Sequence, residues 1–414
     1  MIILVHDFAG HPFQVQLSRK LAARGHRVVH LTAGRLAGPK GNLDATAGDA
    51  HDLVLRSVPL SGYFRKYSPW RRLVAQRQYA LDLAGIIAEE RPDVVISGNT
   101  PTDIQAHLLK FCHRNGTGFA HWVQDVYSKA LEFVLRRRLG PLAGAASFPF
   151  RCLDKWTVRN SDAVVAISPG FLPLLQHWGA RSGPLTVIEN WAPLSEMPLV
   201  LRRNQWSESL GLNGKPVFLY AGTLGLKHRP DLIYALAKAV AGKARVVVVS
   251  EGVGRQYLAS QPQLPNLMLL DFQPYERLPE ILATADVLLA TLEADAGAFA
   301  VPSKVLTYLC AGRGVLLAAP LQNLAAEVIG RSGGGVVVEP SDTSAWIEAG
   351  LKLSENMEWR ATLGARARRY AEATFDIEKI ADRFEAVLTK AAERRFHNSP
   401  KALRHGACST VAPR

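Results

Sequence analysis

The feature that most narrows the fold is an alternation that runs through the chain twice. Ile2–Val5 is a continuous apolar run. Phe13, Leu17 and Leu21 then recur at helical spacing up to Arg24, Gly25 stops the helix, and Arg27–Leu31 is the next strand. Strands that are apolar at every residue need cover on both faces, and amphipathic helices between them supply it. Val94–Ser97, Phe119–Val123, Ala163–Ser168 and Leu185–Glu189 continue the series. From Ala192 to Lys215 the pattern breaks at Pro193, Pro198 and the polar run Arg202-Arg203-Asn204-Gln205. It restarts at Pro216–Ala221 and continues through Arg245–Ser250, Met268–Phe272, Asp286–Leu292, Val315–Ala319 and Gly335–Glu339. Three helical stretches close the chain, the last near Asp376–Arg394. This predicts an α/β chain of two doubly wound, Rossmann-like domains. The expected boundaries are a first domain at 1–195, a linker at 196–214, a second domain with the closing helices at 215–396 and a flexible tail at 397–414.

Composition sets the partner class. Lys and Arg number 49 against 36 Asp and Glu, a net +13, which draws the chain to something anionic: nucleotide phosphate, nucleic acid or an acidic membrane surface. Cys112, Cys152, Cys310 and Cys408 lie far apart with no C-x-x-C pair, so a zinc or redox reading fails and reduced thiols in a cytosolic protein are expected. The opening Met1–Val5 is too short for a secretory apolar region, and no run reaches the ~18 apolar residues of a membrane span.

Ligands of open parallel sheets bind outside the carboxyl ends of the strands, so the turns after strands are where chemistry is expected. Three such turns in the second half are basic. Tyr220-Ala-Gly-Thr-Leu-Gly-Leu-Lys-His-Arg-Pro230 brings Gly222, Thr223, Gly225, Lys227 and Arg229 ahead of a helix start. Ser250-Glu-Gly-Val-Gly-Arg255 brings Gly252 and Arg255 to a second. At the third, Pro302 and Ser303 open a helix with Lys304 one residue in. Glycines permit close backbone approach, helix starts offer unpaired N–H groups, and the cations complete a phosphate cradle. Each turn alone is compatible with an ordinary βα connection; together they point to nucleotide phosphate.

In this order, "AGTLGLK", "EGVGR" and "VPSKVLTYLCAGRGV" resemble the C-terminal domain of family 4 glycosyltransferases of the GT-B fold. The branch they resemble most builds bacterial exopolysaccharides, including colanic-acid-type enzymes. "HWVQDVY", "DAVVAISPG" and "VIENWAP" extend the resemblance through the first half, so that it covers about residues 1–390. It implies two Rossmann-like domains facing across a cleft, with a retaining transfer of a hexosyl or deoxyhexosyl group. The donor implied is a nucleotide-diphosphate sugar, UDP- or GDP-linked, and the acceptor a lipid-linked saccharide. No cofactor is implied beyond the donor, and no Asp-x-Asp metal clamp is evident.

Carried over residue by residue, Lys227 matches the lysine that contacts the donor diphosphate. Lys304 joins it as a second cation, with Arg255 beside them. Thr223 stands where an arginine is frequent in the family, which leaves that contact to Arg229. The family's two glutamates before the Ala-x-Gly segment fall on Phe299 and Thr307, neither acidic; Pro302-Ser303-Lys304 is what the exopolysaccharide branch shows there. Thr307 stays in the donor-binding set, and Glu293 or Asp295 is offered for the ribose. In the first half Gly10 matches the loop that faces the donor. Asp125 matches an acidic residue often found there and reads either as orienting the acceptor hydroxyl or as a structural cap, with Gln124 in place of the family's histidine. His6, His11 and His121 read as packing or solvated residues.

Basic and aromatic residues interleave at Tyr63–Arg72, at Phe133–Leu139 and at Phe148–Arg151, which reads either as a solvated face with some core aromatics or as the surface of a cytoplasmic protein peripheral to an anionic inner-membrane face. No nucleic-acid module accompanies them. Two other functions share the two-domain plan: a nucleotide-sugar 2-epimerase, and a membrane-associated scaffold that binds nucleotide sugar without transfer.

Overall fold

The computed structural model describes residues 1–34, 43–60, 69–181, 183–225, 227–294 and 304–397, side chains at 69–73, 133–134, 137–138 and 396–397 excepted. The chain divides into two compact units, one formed by Met1–Glu189 with Ile377–Arg414 and the other by Asn190–Asp376.

The first unit holds seven strands: β1 (Ile2–Asp7), β2 (Arg27–Ala33), β3 (Leu53–Val58), β4 (Val94–Gly98), β5 (Gly118–Val123), β6 (Ala163–Ala166) and β7 (Leu185–Val187). Their spatial order is β3-β2-β1-β4-β5-β6-β7, and every pairing is parallel. The order reverses between β1 and β4, where Asp7 stands level with Gly98. One face of the sheet is closed by Leu4, Val29, Leu31 and Val95 packing with Tyr79, Leu83, Leu108 and Phe119.

The second unit holds β8 (Val217–Ala221), β9 (Arg245–Val249), β10 (Leu267–Leu270), β11 (Val287–Thr291), β12 (Gly314–Ala318) and β13 (Gly335–Val338). Their order is β10-β9-β8-β11-β12-β13, again parallel throughout, with the reversal between β8 and β11. Phe218, Val246, Val248, Leu289 and Leu316 pack with Leu236 and Trp346 in its core. The Trp346 indole N–H donates to the Leu232 carbonyl at 2.9 Å, so this large ring is buried without an orphan donor.

Both units have the doubly wound plan that the alternation predicts. Three features differ from the sequence reading. β3 is an edge strand whose Arg56 and Ser57 face solvent, so it has no continuous apolar run to announce it. The stretch read as a linker contains a helix, Gln205–Ser209, with a capping box between Asn204 and Ser207. Asn204 also donates to the Glu280 carbonyl at 3.0 Å, and Arg202 pairs with Asp286 at 2.8 Å, so this segment is packed into the second unit. Finally, the last helix, Ile377–His397, belongs to the first unit and not to the second domain with which the closing helices were grouped. Its apolar stripe fits under β5: Phe384 lies 4.6 Å from the Trp122 ring, and Gly118 passes directly over Ala391.

Candidate active site

β8 ends at a switch point, and its last residues build the site. The strand is fully buried, which delivers the Tyr220 ring to the sheet's carboxyl edge with its hydroxyl donating to the Thr223 carbonyl at 2.9 Å. Tyr308, on the Lys304–Cys310 helix, accepts from the Ala221 N–H at 2.9 Å and donates to the Ala221 carbonyl at 3.0 Å. That double bond pins the helix to the strand end. Lys304, at the helix start, is thereby held with its ammonium 3.9 Å over the Tyr220 ring and donating to the Tyr220 hydroxyl.

Gly222 follows with φ 123°, and a Cβ built there would lie 3.3 Å from the Lys304 Nζ. Only glycine leaves the ammonium open to the backbone at this turn. Burial, and then the nearby Lys227 charge, pull Lys304 from 10.5 down to about 7. Lys227 is exposed, and its carbonyl accepts from the Glu293 N–H at 2.9 Å. Burial and a neighbouring cation both disfavour the charged ammonium, and an anion placed beside it would favour it.

The second basic turn interlocks with the first. The Leu224 N–H donates to the Glu251 carbonyl at 3.0 Å, and the Gly254 N–H donates back to the Leu224 carbonyl at 2.8 Å. Gly252 sits at φ 100°, where a Cβ would come within 2.8 Å of the Leu224 carbonyl oxygen. Gly252→Ala is therefore expected to cost about 1–3 kcal/mol and to weaken nucleotide binding, because it pushes the two turns apart. Urea unfolding and a nucleotide titration check both effects.

The structure sorts the residues nominated from sequence. Lys227, Lys304, Gly222, Thr223 and Gly252 gather around the β8 end, with Thr307 half-buried one turn along from Lys304. Glu293 is joined to them through Lys227, while Asp295, Phe299, Pro302 and Ser303 lie outside the described residues. Arg255 pairs with Asp271 at 2.7 Å, but its buried Nε has no partner, and so exposed a pair contributes little. Arg229 is different. Its guanidinium is taken by the Asp231 carboxylate and by the Pro340 carbonyl at 2.8 Å, so its fork anchors the turn to the Pro230–Ala239 helix and is not open to a phosphate.

His228 went unremarked in the sequence, though it lies inside the first basic turn. It is buried and accepts from the Gly225 N–H at 3.0 Å through Nδ1. Burial, with Lys304 and Lys227 adding, holds it down to about 3, so it stays neutral and shapes the turn without adding charge.

In the first unit Gly10, at φ 79°, closes the loop after β1. The loop is shaped by Asp7, whose buried carboxylate accepts from the Ala9 N–H at 3.1 Å and from the His11 N–H. His6 is buried between the Ser97 hydroxyl at 2.9 Å and the Tyr79 hydroxyl at 3.0 Å, and desolvation holds it down to about 3. His11 stacks on Phe13, and desolvation holds His121 down to about 4. Neither His6 nor His121 is poised as a base. Asp125 is exposed just past the carboxyl end of β5, and Gln124 beside it is buried. A pocket lined by Met1, Arg91, Asp93, Asn115 and Thr117 lies at the amino ends of β1 and β4, at the opposite end of this sheet from the Gly10 loop.

The two units match two family models in sequence. A glycosyl transferase 4-like domain covers residues 11–191, and a domain of the glycosyl transferases group 1 covers 215–356. The chain belongs to the family 4 glycosyltransferases. The fold of this glycosyltransferase is shared with sucrose-phosphate synthase from Thermosynechococcus elongatus (TM-score 0.69, 16% identity, 93% of this chain and 98% of that one). It is shared too with Anabaena HepE solved with UDP-glucose (TM-score 0.66, 14% identity, 94% and 99%). A trehalose-6-phosphate protein from E. coli bound with UDP-2-fluoro glucose is similar as well (TM-score 0.65, 13% identity, 94% and 99%). No curated protein matches the glycosyltransferase by sequence. None of its described helices is long and apolar enough to cross a membrane.

Proposed function

We propose that this glycosyltransferase moves a hexosyl or deoxyhexosyl group from a UDP- or GDP-linked donor to a hydroxyl of a lipid-linked saccharide, with retention and without a metal. The observation that carries the donor side is the Lys304 ammonium held against Gly222 at the end of β8, with Lys227 beside it. Breaking the sugar–phosphate bond leaves negative charge on the departing diphosphate. Two cations, Lys304 and Lys227, stabilise that charge as it develops, since the Gly222 and Gly225 N–H groups are taken by the Val249 carbonyl and by His228. Glu293 is the carboxylate assigned to the ribose hydroxyls, in place of the glutamates absent at Phe299 and Thr307. Asp125 is assigned to orienting the acceptor hydroxyl, and Gly10, in the loop shaped by Asp7, is assigned to the donor-binding set. HepE bound to UDP-glucose and the trehalose-6-phosphate protein bound to a UDP-sugar analogue support a nucleotide-sugar donor. An exopolysaccharide role and a place at the cytoplasmic membrane face follow from the acceptor class, and the excess of basic residues favours an anionic surface.

A thermal-shift panel of UDP, GDP, ADP, CMP and dTDP tests the donor side. A ligand that binds only the folded state raises the midpoint, by about 2.7 kcal/mol of stability at 100 times its Kd. UDP or GDP is expected to give the shift, and Lys227→Ala to remove most of it. No shift with any of the five would leave a scaffold without a donor site.

A further inference from the structure

The helices Tyr127–Leu139 and Ala143–Asn160 of the first unit run back to back, joined at Gly140–Leu142. At that tip Leu139, Leu142 and Phe148 are 43%, 69% and 55% exposed, with Pro141 and Pro149 exposed between them. Leu139 ends one helix, Leu142 lies in the joint and Phe148 follows in the next helix, and large apolar side chains left exposed around one joint mark an interaction site. The charge around them is one-sided. From Phe133 to Leu153 there is no acidic residue and there are four arginines. Over 127–160 seven Lys and Arg stand against Glu132 and Asp154. Glu132 serves both Arg136, at 3.2 Å, and Arg151, at 3.9 Å. Asp154 is turned inward, accepting from the Thr102 hydroxyl at 2.6 Å and the Ser128 N–H at 2.9 Å. Arg151 also lies 5.4 Å from the Phe148 ring centroid, so this aromatic carries a cation on its face.

We infer that this hairpin tip enters the headgroup layer of an anionic membrane, with Leu139, Leu142 and Phe148 as the inserted residues and the arginines on lipid phosphate. The inference deepens the membrane part of the proposal above and rests on it. An apolar surface flanked by Arg136 and Arg151 is the arrangement that lies in the interface plane, apolar side down. Three side chains on a turn are too few for a stable protein interface, which takes ~800 Å² from each partner. Single-stranded nucleic acid would need open aromatic faces to stack on, and the exposed Phe148 ring has Arg151 over one face.

Cys152 is exposed one turn beyond Phe148, while Cys112 and Cys310 are buried. The full chain carrying Cys408→Ser is labelled at Cys152 with an environment-sensitive dye and mixed with phosphatidylcholine vesicles, with or without phosphatidylglycerol. Binding with a blue shift is expected on the anionic vesicles. Leu142→Ser with Phe148→Ser is expected to weaken it at least tenfold. Arg136→Gln with Arg151→Gln is expected to weaken it about fivefold per arginine and to flatten its salt dependence. Anionic binding that both double variants leave unchanged would remove the hairpin and keep the membrane reading. No binding to either vesicle would remove both, and sugar transfer to a soluble acceptor, assayed in parallel, separates that outcome from an inactive enzyme. Tighter binding to an oligonucleotide than to vesicles, or a concentration-dependent dimer lost in Leu142→Ser with Phe148→Ser, would also overturn it.

Discussion

Lys304→Met is expected to lower kcat/KM for sugar transfer by about 10²–10³, the cost of removing one fixed donor aimed at developing charge. The protein should remain folded. The ammonium sits where its charged form is penalised, so a neutral side chain of similar length does not weaken the unit. Tyr220 keeps its bond to the Thr223 carbonyl, and Tyr308 still pins the helix to Ala221. Steady-state kinetics beside a melting curve read the two effects separately. Transfer at the unsubstituted rate would mean that the diphosphate lies elsewhere.

The same lysine gives the site a pH dependence of known sign. Its pKa falls from 10.5 in an open chain to about 7 in the fold. Between those values the unfolded chain binds more protons than the folded one. Stability of the free protein from this group therefore rises as pH goes from about 7 toward 10.5, and its destabilising effect is fully present below 7. Nucleotide binding runs the other way. A diphosphate beside the ammonium favours the charged form, so binding above pH 7 takes up a proton. Affinity should hold up to about pH 7 and then fall, by at most tenfold per unit, toward pH 9. Calorimetry in buffers of different ionisation enthalpy reports that proton directly. A flat profile, or one that persists in Lys304→Met, would assign the titration to another group.

Much of the candidate site was legible because its geometry is local. Gly222, Lys227, Gly252 and Lys304 each lie within a few residues of a strand end that the apolar pattern marks, and parallel sheets fix which end matters. What sequence could not supply was partner choice. Arg229 and Lys227 are both cations in one turn, yet Asp231, two residues on, takes the guanidinium, while Lys227 stays exposed. His228 reads as a titratable group and is held neutral only because folding desolvates it. Asp7 reads as the polar end of a strand, but its role is to accept the N–H groups that shape the Gly10 loop. The largest misplacement was Ile377–His397. Its amphipathic stripe announces a helix, and nothing in a stripe names the sheet it covers.

That helix carries the second large effect: Phe384→Ala is expected to destabilise the first unit by about 3–5 kcal/mol, the usual range for truncating a buried aromatic. Phe384 is fully buried against Trp122, itself 1% exposed, and Ile380, Ala381, Leu388 and Ala391 bury the same stripe. Gly118 is the complementary adaptation on the sheet side. A Cβ there would come within 2.7 Å of the Ala391 carbonyl oxygen, so Gly118→Ala should cost about 1–3 kcal/mol by lifting the helix. The ion pairs at the helix start, Arg24 with Glu378, Asp382 and Glu385, are largely exposed, and removing Glu378 should change little by comparison. For a unit of this size each kcal/mol moves the melting midpoint by roughly 2–4 °C, so Phe384→Ala should bring it down by about 10 °C. A midpoint lowered as much by Glu378→Ala as by Phe384→Ala would show that charge, and not the apolar stripe, holds the last helix to the first unit.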